Sequence, residues 1–255
     1  MDPATIIGVV VAFVAIFASM ILEGGSPMAI FLLPPMLLVF LGTFGAGMAG
    51  GMLKDFTGAL GALKNAFMSK PEPADSTVET VVKLAESARR EGLLALESAV
   101  QEVDDPFLKQ GLQSAIDGAD PEELREILYA QIDTKRAADK RSAKLYTDMG
   151  GYAPTIGIIG TVIGLVHVLE NLSKPDELGH LIAGAFVATL WGVLSANVLW
   201  LPIASRLKRL SELQCTQMEV VVEGVLAIQS GTSPRVVQEK LQSFLPPQSP
   251  QKEAA

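Results

Sequence analysis

Two threonines sit deep inside apolar stretches that contain no Lys, Arg, Asp or Glu: Thr161 within Gly151 to Leu169, and Thr189 within Leu181 to Ser205. Each stretch is long enough to cross a bilayer as a helix, which takes about 20 residues. At ~1.5 Å rise per residue both hydroxyls then stand near mid-membrane. A threonine there can bond back to the i−4 carbonyl of its own helix, the ordinary fate of a single one. Two at matching depth on adjacent helices can also offer oxygens to a hard cation that is shedding water.

Two prolines flank this pair. Pro154 cannot donate to Gly150, nor Pro202 to Val198, so each frees a carbonyl. Either they are the prolines commonly found in membrane helices, with Pro154 beginning one, or they mark a bend that can move. A separate set of charges, Arg89 and Arg90 with Glu97, lies in SARREGLLALES. Arg89 and Glu97 are about two helical turns apart, which predicts roughly one helix face. On pattern alone they read as ordinary surface charge.

No enzyme site emerges. HExxH, GxSxG and GxxxxGK[ST] motifs are missing, and a lone cysteine, Cys215, allows no intrachain disulfide or thiolate cluster. Gly157 to Gly164 is glycine-rich but lies inside an apolar run, the wrong context for a nucleotide fingerprint. His167 and His180 lack further ligands nearby and read as packing or interface residues rather than a metal site. With a net charge of −8, nothing supports nucleic-acid binding. The sequence predicts neither catalysis nor a bound cofactor.

The elements that must position these residues are all helical. Ala4 to Leu22 is an uncharged run of spanning length, preceded by no basic leader, and reads as a retained first helix. A turn at Glu23 to Pro27 leads to a second run, Met28 to Leu53. Pro34-Pro35 there mark the start of a continuous helix, with Met36 to Leu53 as its straight part. The turn Glu170 to His180 makes the third and fourth helices antiparallel neighbours. Gly160 and Gly164 form a small-xxx-small step, and Ala185, Thr189, Gly192 and Ala196 share a stripe on the next helix. Small stripes let membrane helices approach closely, within this chain or onto a partner.

The reading is therefore an all-α, polytopic membrane protein with four transmembrane helices and a helical cytoplasmic domain. Residues 1–53 carry helices 1 and 2, and 54–148 the cytoplasmic helices. Residues 149–205 carry helices 3 and 4, 206–245 the C-terminal helices, and 246–255 a disordered tail. Within 54–148, Ser69 to Pro73 reads as a linker and Thr77 to Val103 has helical apolar spacing. Asp120-Pro121-Glu122-Glu123 is a helix start. These cytoplasmic helices look too few and small for a large core of their own, so they are expected to pack on extensions of helices 2, 3 and 4. After Pro202 a helix should run to about Ser230 and stop at Gly231 to Pro234, with a last short helix to about Phe244. Of the 20 basic residues, only Lys174 lies outside 54–148 and the region after Pro202. By the positive-inside rule both termini and 54–148 are cytoplasmic.

GGYAPTIGIIGTVIGLVHVLENL, AGAFVATLWGVLSAN and LPIASRLK resemble the MotA/PomA family, the ion-driven stator subunits of the bacterial flagellar motor. The likeness recurs in the second helix, in ARREGLLALE and in MEVVVEGVLAIQSGTSPRVVQEKL, covering nearly the whole chain. It implies a multi-pass protein of the bacterial plasma (inner) membrane. It also implies five copies around two copies of a MotB/PomB-type partner with a single transmembrane helix, whose aspartate carries the ion. That division of labour fits a chain with no ionisable group in its own membrane runs, where ion pathways usually need one. Thr161 and Thr189 match positions lining the family's ion path, and Thr at both is similar to sodium-driven rather than proton-driven members. Arg89, Arg90 and Glu97 match charges that engage the rotor's switch-complex protein, although Ser98 stands where some relatives place a second acid. The competing readings are an energising ring of the TolQ/ExbB kind, which has three membrane helices, and a stand-alone small-solute transporter. The latter would need converging polar groups or repeat symmetry.

Overall fold

A computed structural model describes residues 3–68 and 74–245, and every regular element among them is a helix. The expected linker at Ser69 to Pro73 and the expected tail from Pro246 lie outside the described residues. The described residues form two compact units, one drawn from 1–70 and 139–209, the other from 71–138 and 210–255. These units cross the sequence segments drawn above: residues 54–68 fall with the apolar helices, and 210–245 fall with 74–138.

The first unit holds the apolar helices. Helix α1 is Pro3–Leu22. The chain turns at Gly24, whose φ of 82° suits a residue without a Cβ. A single 3₁₀ turn, Pro27–Ile30, precedes α2, Leu33–Ala49. Pro34 and Pro35 occupy the first turn of α2, where amide donors have no intrahelical acceptor in any case. The expected straight helix to Leu53 is corrected: α2 stops at Ala49, and α3, Leu53–Met68, starts afresh. Gly50-Gly51 weakens the helix there. The Asp55 carboxylate then accepts from Met52 N at 3.3 Å, the reach-back half of a capping box.

In the second unit, α4 spans Ala74–Glu91, α5 Leu96–Gln101 and α6 Pro106–Ile116. Helix α7, Pro121–Glu170, has 50 residues. Asp120 caps it by accepting from Glu122 N at 2.9 Å and Glu123 N at 3.2 Å, with Pro121 first in the helix. Helix α8, Pro175–Ser195, belongs to the first unit, and the loop before it is shorter than Glu170 to His180. Helix α9 is Leu201–Gln229 and α10 Pro234–Gln242, separated at Gly231 with φ 67°. The helices of 74–138 do not make the core of the second unit alone, as expected, although the extension of helix 2, α3, falls in the first unit rather than packing there. Val81, Leu96, Leu112, Leu128, Val225 and Leu241 are fully or nearly fully buried together. The first part of α7 and the latter part of α9 close that core, so the anticipated packing on extensions of helices 3 and 4 is what builds it.

Among the described residues, three helices contain apolar segments of spanning length: α1 across Thr5–Leu22, α7, and the α8–α9 stretch. Helix α2, with 17 residues, is apolar but shorter. Trp191 anchors the first unit's core. Its indole donates to Ile30 O at 2.7 Å, and Phe31 and Phe40 pack against it at ring separations of 5.6 and 5.8 Å.

Candidate functional site

The close approach of α7 and α8 follows from missing side chains. A Cβ on Gly160 would come within 2.6 Å of Ala188 Cβ, and one on Gly164 within 2.6 Å of Ala185 Cβ. On α8, a Cβ on Gly192 would strike Ala153 O at 2.6 Å. The small residues of both stripes thus face one another inside this chain.

That approach brings the two threonines together. Thr161 Oγ1 and Thr189 Oγ1 form a hydrogen bond in which either can donate. Thr161 Oγ1 also lies 3.2 Å from Gly157 O and 3.1 Å from Ala185 O, and Thr189 Oγ1 lies 3.3 Å from Gly157 O. Four oxygens gather in one half-buried spot between two helices. The hydroxyls own two protons between them, so not every short O···O approach can be a hydrogen bond at once. The set is rich in acceptors, which suits transient contact with a hard cation. No Lys, Arg, Asp or Glu occurs in 151–169 or 181–205 to supply charge.

Pro154 lies inside α7, so it does not begin a helix. Pro202 is the second residue of α9 and follows a feature that sequence reasoning missed, a π-helical turn at Ala196–Trp200. Such a wide turn disturbs the carbonyl ladder. Asn197 Nδ2 donates to Val193 O at 2.9 Å and Ser195 Oγ to Gly192 O at 3.2 Å, which satisfies carbonyls beside it. The signal available in the sequence was the cluster of Ser195, Asn197 and Pro202.

The charged set is not on one helix. Helix α4 ends at Glu91, and Gly92 with φ 86° breaks the path. A short 3₁₀ turn, Leu93–Ala95, intervenes, and Glu97 stands in the first turn of α5. The one-face reading of Arg89 and Glu97 is therefore corrected. All three charged residues are exposed, and Arg90 pairs with Glu86 at 3.4 Å. Between them Leu94 is 75% exposed, an apolar contact point that spacing did not reveal. His167 and His180 line an apolar groove of about 570 Å³ with Leu38 and Gly184. Among the described residues no cluster of three or more His, Cys, Asp or Glu could hold a metal.

Apolar helices of spanning length, packed glycine-to-alanine, mark a multi-pass membrane protein. The model of the MotA/TolQ/ExbB proton channel family matches residues 99–220. Motility protein A of Bacillus subtilis (strain 168) is 38% identical over 250 residues, covering 96% of this chain and 92% of that one. The structure of C. jejuni MotAB superposes with a TM-score of 0.93 at 32% identity, covering 98% of both chains. That of the flagellar MotAB stator complex from Bacillus subtilis gives 0.89 at 37% identity and 96% coverage of both. The chain belongs to the MotA family of motility proteins.

Proposed function

We propose that this chain is the A-type stator subunit of a flagellar motor, working in the inner membrane with a MotB/PomB-type partner. Whole-chain similarity to motility protein A and to MotAB stator structures supports this over a TolQ/ExbB ring. Helices α1, α2 and the apolar parts of α7 and α8–α9 form four crossings. The basic residues put both termini on the cytoplasmic side. Five copies of the chain surround the transmembrane helices of two partner copies, each with an aspartate that carries the ion.

The observation that carries the mechanism is the Thr161–Thr189 oxygen cluster in a charge-free pair of helices. Ion passage at the partner aspartate is sensed by these hydroxyls, and sodium rather than a proton is the favoured ion. The shift is taken up near Pro154 and Pro202, where the helix ladder already lacks a donor. Motion is then delivered to the rotor's switch-complex protein through Arg89, Arg90 and Glu97. Exposed charges suit steered, easily broken contacts of this kind.

The test is swimming speed against sodium concentration at fixed pH and ionic strength, with Thr161→Ala beside the wild type. The expected result is a sodium-dependent wild type and a variant whose dependence shifts at least severalfold. Swimming that ignores both sodium and the substitution would overturn the sodium assignment and leave the stator reading to the partner requirement.

A further inference from the structure

A second groove in the apolar unit carries chemistry that an ion route does not use. It lies between α1 and the π-helical turn with the start of α9, and encloses about 450 Å³. Thr5, Ser205 and Arg206 line one part of it, while Val9, Ala12 and Val198 line another together with Asn197, whose amide donates to Val193 O. The order follows the chain. Thr5 stands at the start of α1 and Arg206 at the point where the uncharged run 181–205 ends, whereas Val9, Ala12 and Val198 belong to the apolar runs themselves. The groove thus grades from polar and cationic to apolar along a membrane-crossing direction.

Its shape has two local causes. The π turn at Ala196–Trp200 displaces the backbone that faces α1. Gly8 contributes no side chain, and a Cβ built there would meet nothing within 4 Å. Just beyond Arg206 come Lys208 and Arg209, so this end of the groove lies where basic residues take over from the uncharged run. A guanidinium with a neighbouring hydroxyl matches a phosphate diester in charge and geometry. A free phosphate would have no use for the apolar limb. An amphiphile uses both.

We propose that this groove is a binding site for one anionic phospholipid, with its phosphate at Arg206 and Ser205 and an acyl chain along Val9, Ala12 and Val198. The proposal rests on the membrane-crossing reading of α1 and 181–205. The cytoplasmic leaflet as the lipid's source follows from the orientation given above. Because the site is built on the π turn beside Pro202, lipid occupancy bears on the helix segment where the proposed bend is taken up.

The experiment uses the full chain co-purified with its MotB-type partner, in nanodiscs of phosphatidylcholine with or without phosphatidylglycerol. A phosphatidylglycerol carrying a photoreactive acyl chain is the probe, and a phosphatidylcholine analogue is its control. Cross-links are mapped by peptide sequencing, and assembly is scored by size exclusion in the same samples. The expected label falls on 5–12 and 197–206 and favours phosphatidylglycerol. Arg206→Gln should reduce that preference about fivefold, the scale of one basic residue at a membrane surface. Gly8→Leu, whose Cβ would meet nothing within 4 Å and whose side chain enters the groove space, should suppress labelling of both peptides. Equal labelling by the two lipids, label confined to other segments, competition by inorganic phosphate, or no response to Gly8→Leu in an assembled complex would each overturn the site. Symmetrical nanodiscs make the result independent of which way the chain faces. A complex that fails to assemble without the substitutions would count against the stator reading instead.

Discussion

The phenolic hydroxyl of Tyr129 on α7 donates to Glu223 Oε1 on α9 at 3.1 Å, across the core of the second unit. Glu223 is 7% exposed and also holds Lys240 at 2.6 Å and Arg125 at 3.8 Å. One carboxylate therefore ties α7, α9 and α10 together. Burial by itself would raise its pKa, but the hydrogen bond and charge of Lys240, the Tyr129 hydroxyl and the Arg125 charge outweigh burial and lower it. Burial, with the nearby Glu223 charge, pushes the Tyr129 phenol up, so it stays a donor at neutral pH.

That sign sets a pH dependence. A carboxyl whose folded pKa lies below its unfolded value stabilises the fold fully above the unfolded value. The contribution is lost as pH falls through the folded one. The window lies below the ordinary value of 4.5. Glu223→Gln keeps the Tyr129 contact but takes the carboxylate away from Lys240 and leaves Arg125 with Glu122 at 4.0 Å. Lys240 and Arg125 side chains are 42% and 43% exposed and stay solvated. The expected cost is thus about 1–3 kcal/mol rather than the ~3–5 of a wholly buried pair. Hydrogen exchange of 220–229 should show faster opening in the variant at neutral pH, with the gap to wild type closing in acid. A constant gap down to strongly acid pH would rule out the charge as its source.

The α7–α8 seam reverses the usual effect of replacing glycine in a helix. Glycine to alanine ordinarily stabilises a helix by roughly 0.5–1 kcal/mol. Gly151 has nothing within 4 Å of its notional Cβ, so Gly151→Ala should follow that rule or be neutral. Gly164→Ala would place a methyl within 2.9 Å of Ala185 Cα, which is backbone and cannot swing aside. Overpacking of this kind costs about 1–3 kcal/mol. Thermal unfolding of the detergent-solubilised complex should rank Gly164→Ala well below wild type and Gly151→Ala at or above it. Equal melting of the two would show that the seam opens freely.

Local signals made the legible parts of this fold legible. Asp120-Pro121 and Gly231 to Pro234 act over one turn, and their caps and breaks stand where their residue types require. The meeting of Thr161 with Thr189 could be read because depth and small-residue spacing are properties of each helix alone. The break at Gly92 was hidden by apolar spacing that carries on from Val78 to Val103 as though one helix did. The turns there bury Leu96 and Val100 in a core that only the folded unit supplies. The π turn at Ala196–Trp200 is a register change, and hydrophobic periodicity does not record a single added residue per turn. The break at Gly50 depended on Asp55 reaching back to Met52, a pairing that the preceding apolar run outweighed.

The break at Gly92 changes what a rotor contact can look like. Arg89 and Arg90 end one helix and Glu97 opens another, with exposed Leu94 between them. Arg89→Glu with Glu97 intact should reduce torque without loss of assembly. Leu94→Ala should lower stall torque more modestly, leaving the amount of membrane-bound complex unchanged because the side chain buries almost nothing within the chain. Bead rotation at high load, with immunoblots for stator level, measures both. Full torque in both variants would return these residues to ordinary surface.

Flux by the chain alone is the sharpest test of how labour is divided. Residues 4–22, 33–49, 151–169 and 181–205 hold no Asp, Glu, Lys or Arg. A hydroxyl pair can share an ion's coordination but cannot neutralise its charge, and a cation in low dielectric without a counter-charge is strongly disfavoured. The chain reconstituted by itself in liposomes should therefore pass sodium and protons at background rates. Adding the MotB-type partner should raise flux by orders of magnitude. Replacing the partner's membrane aspartate by asparagine should abolish the gain. Brisk, selective cation flux from the chain alone would mean that the oxygens at Thr161, Thr189, Gly157 and Ala185 suffice, and that the charge carrier was never on another chain.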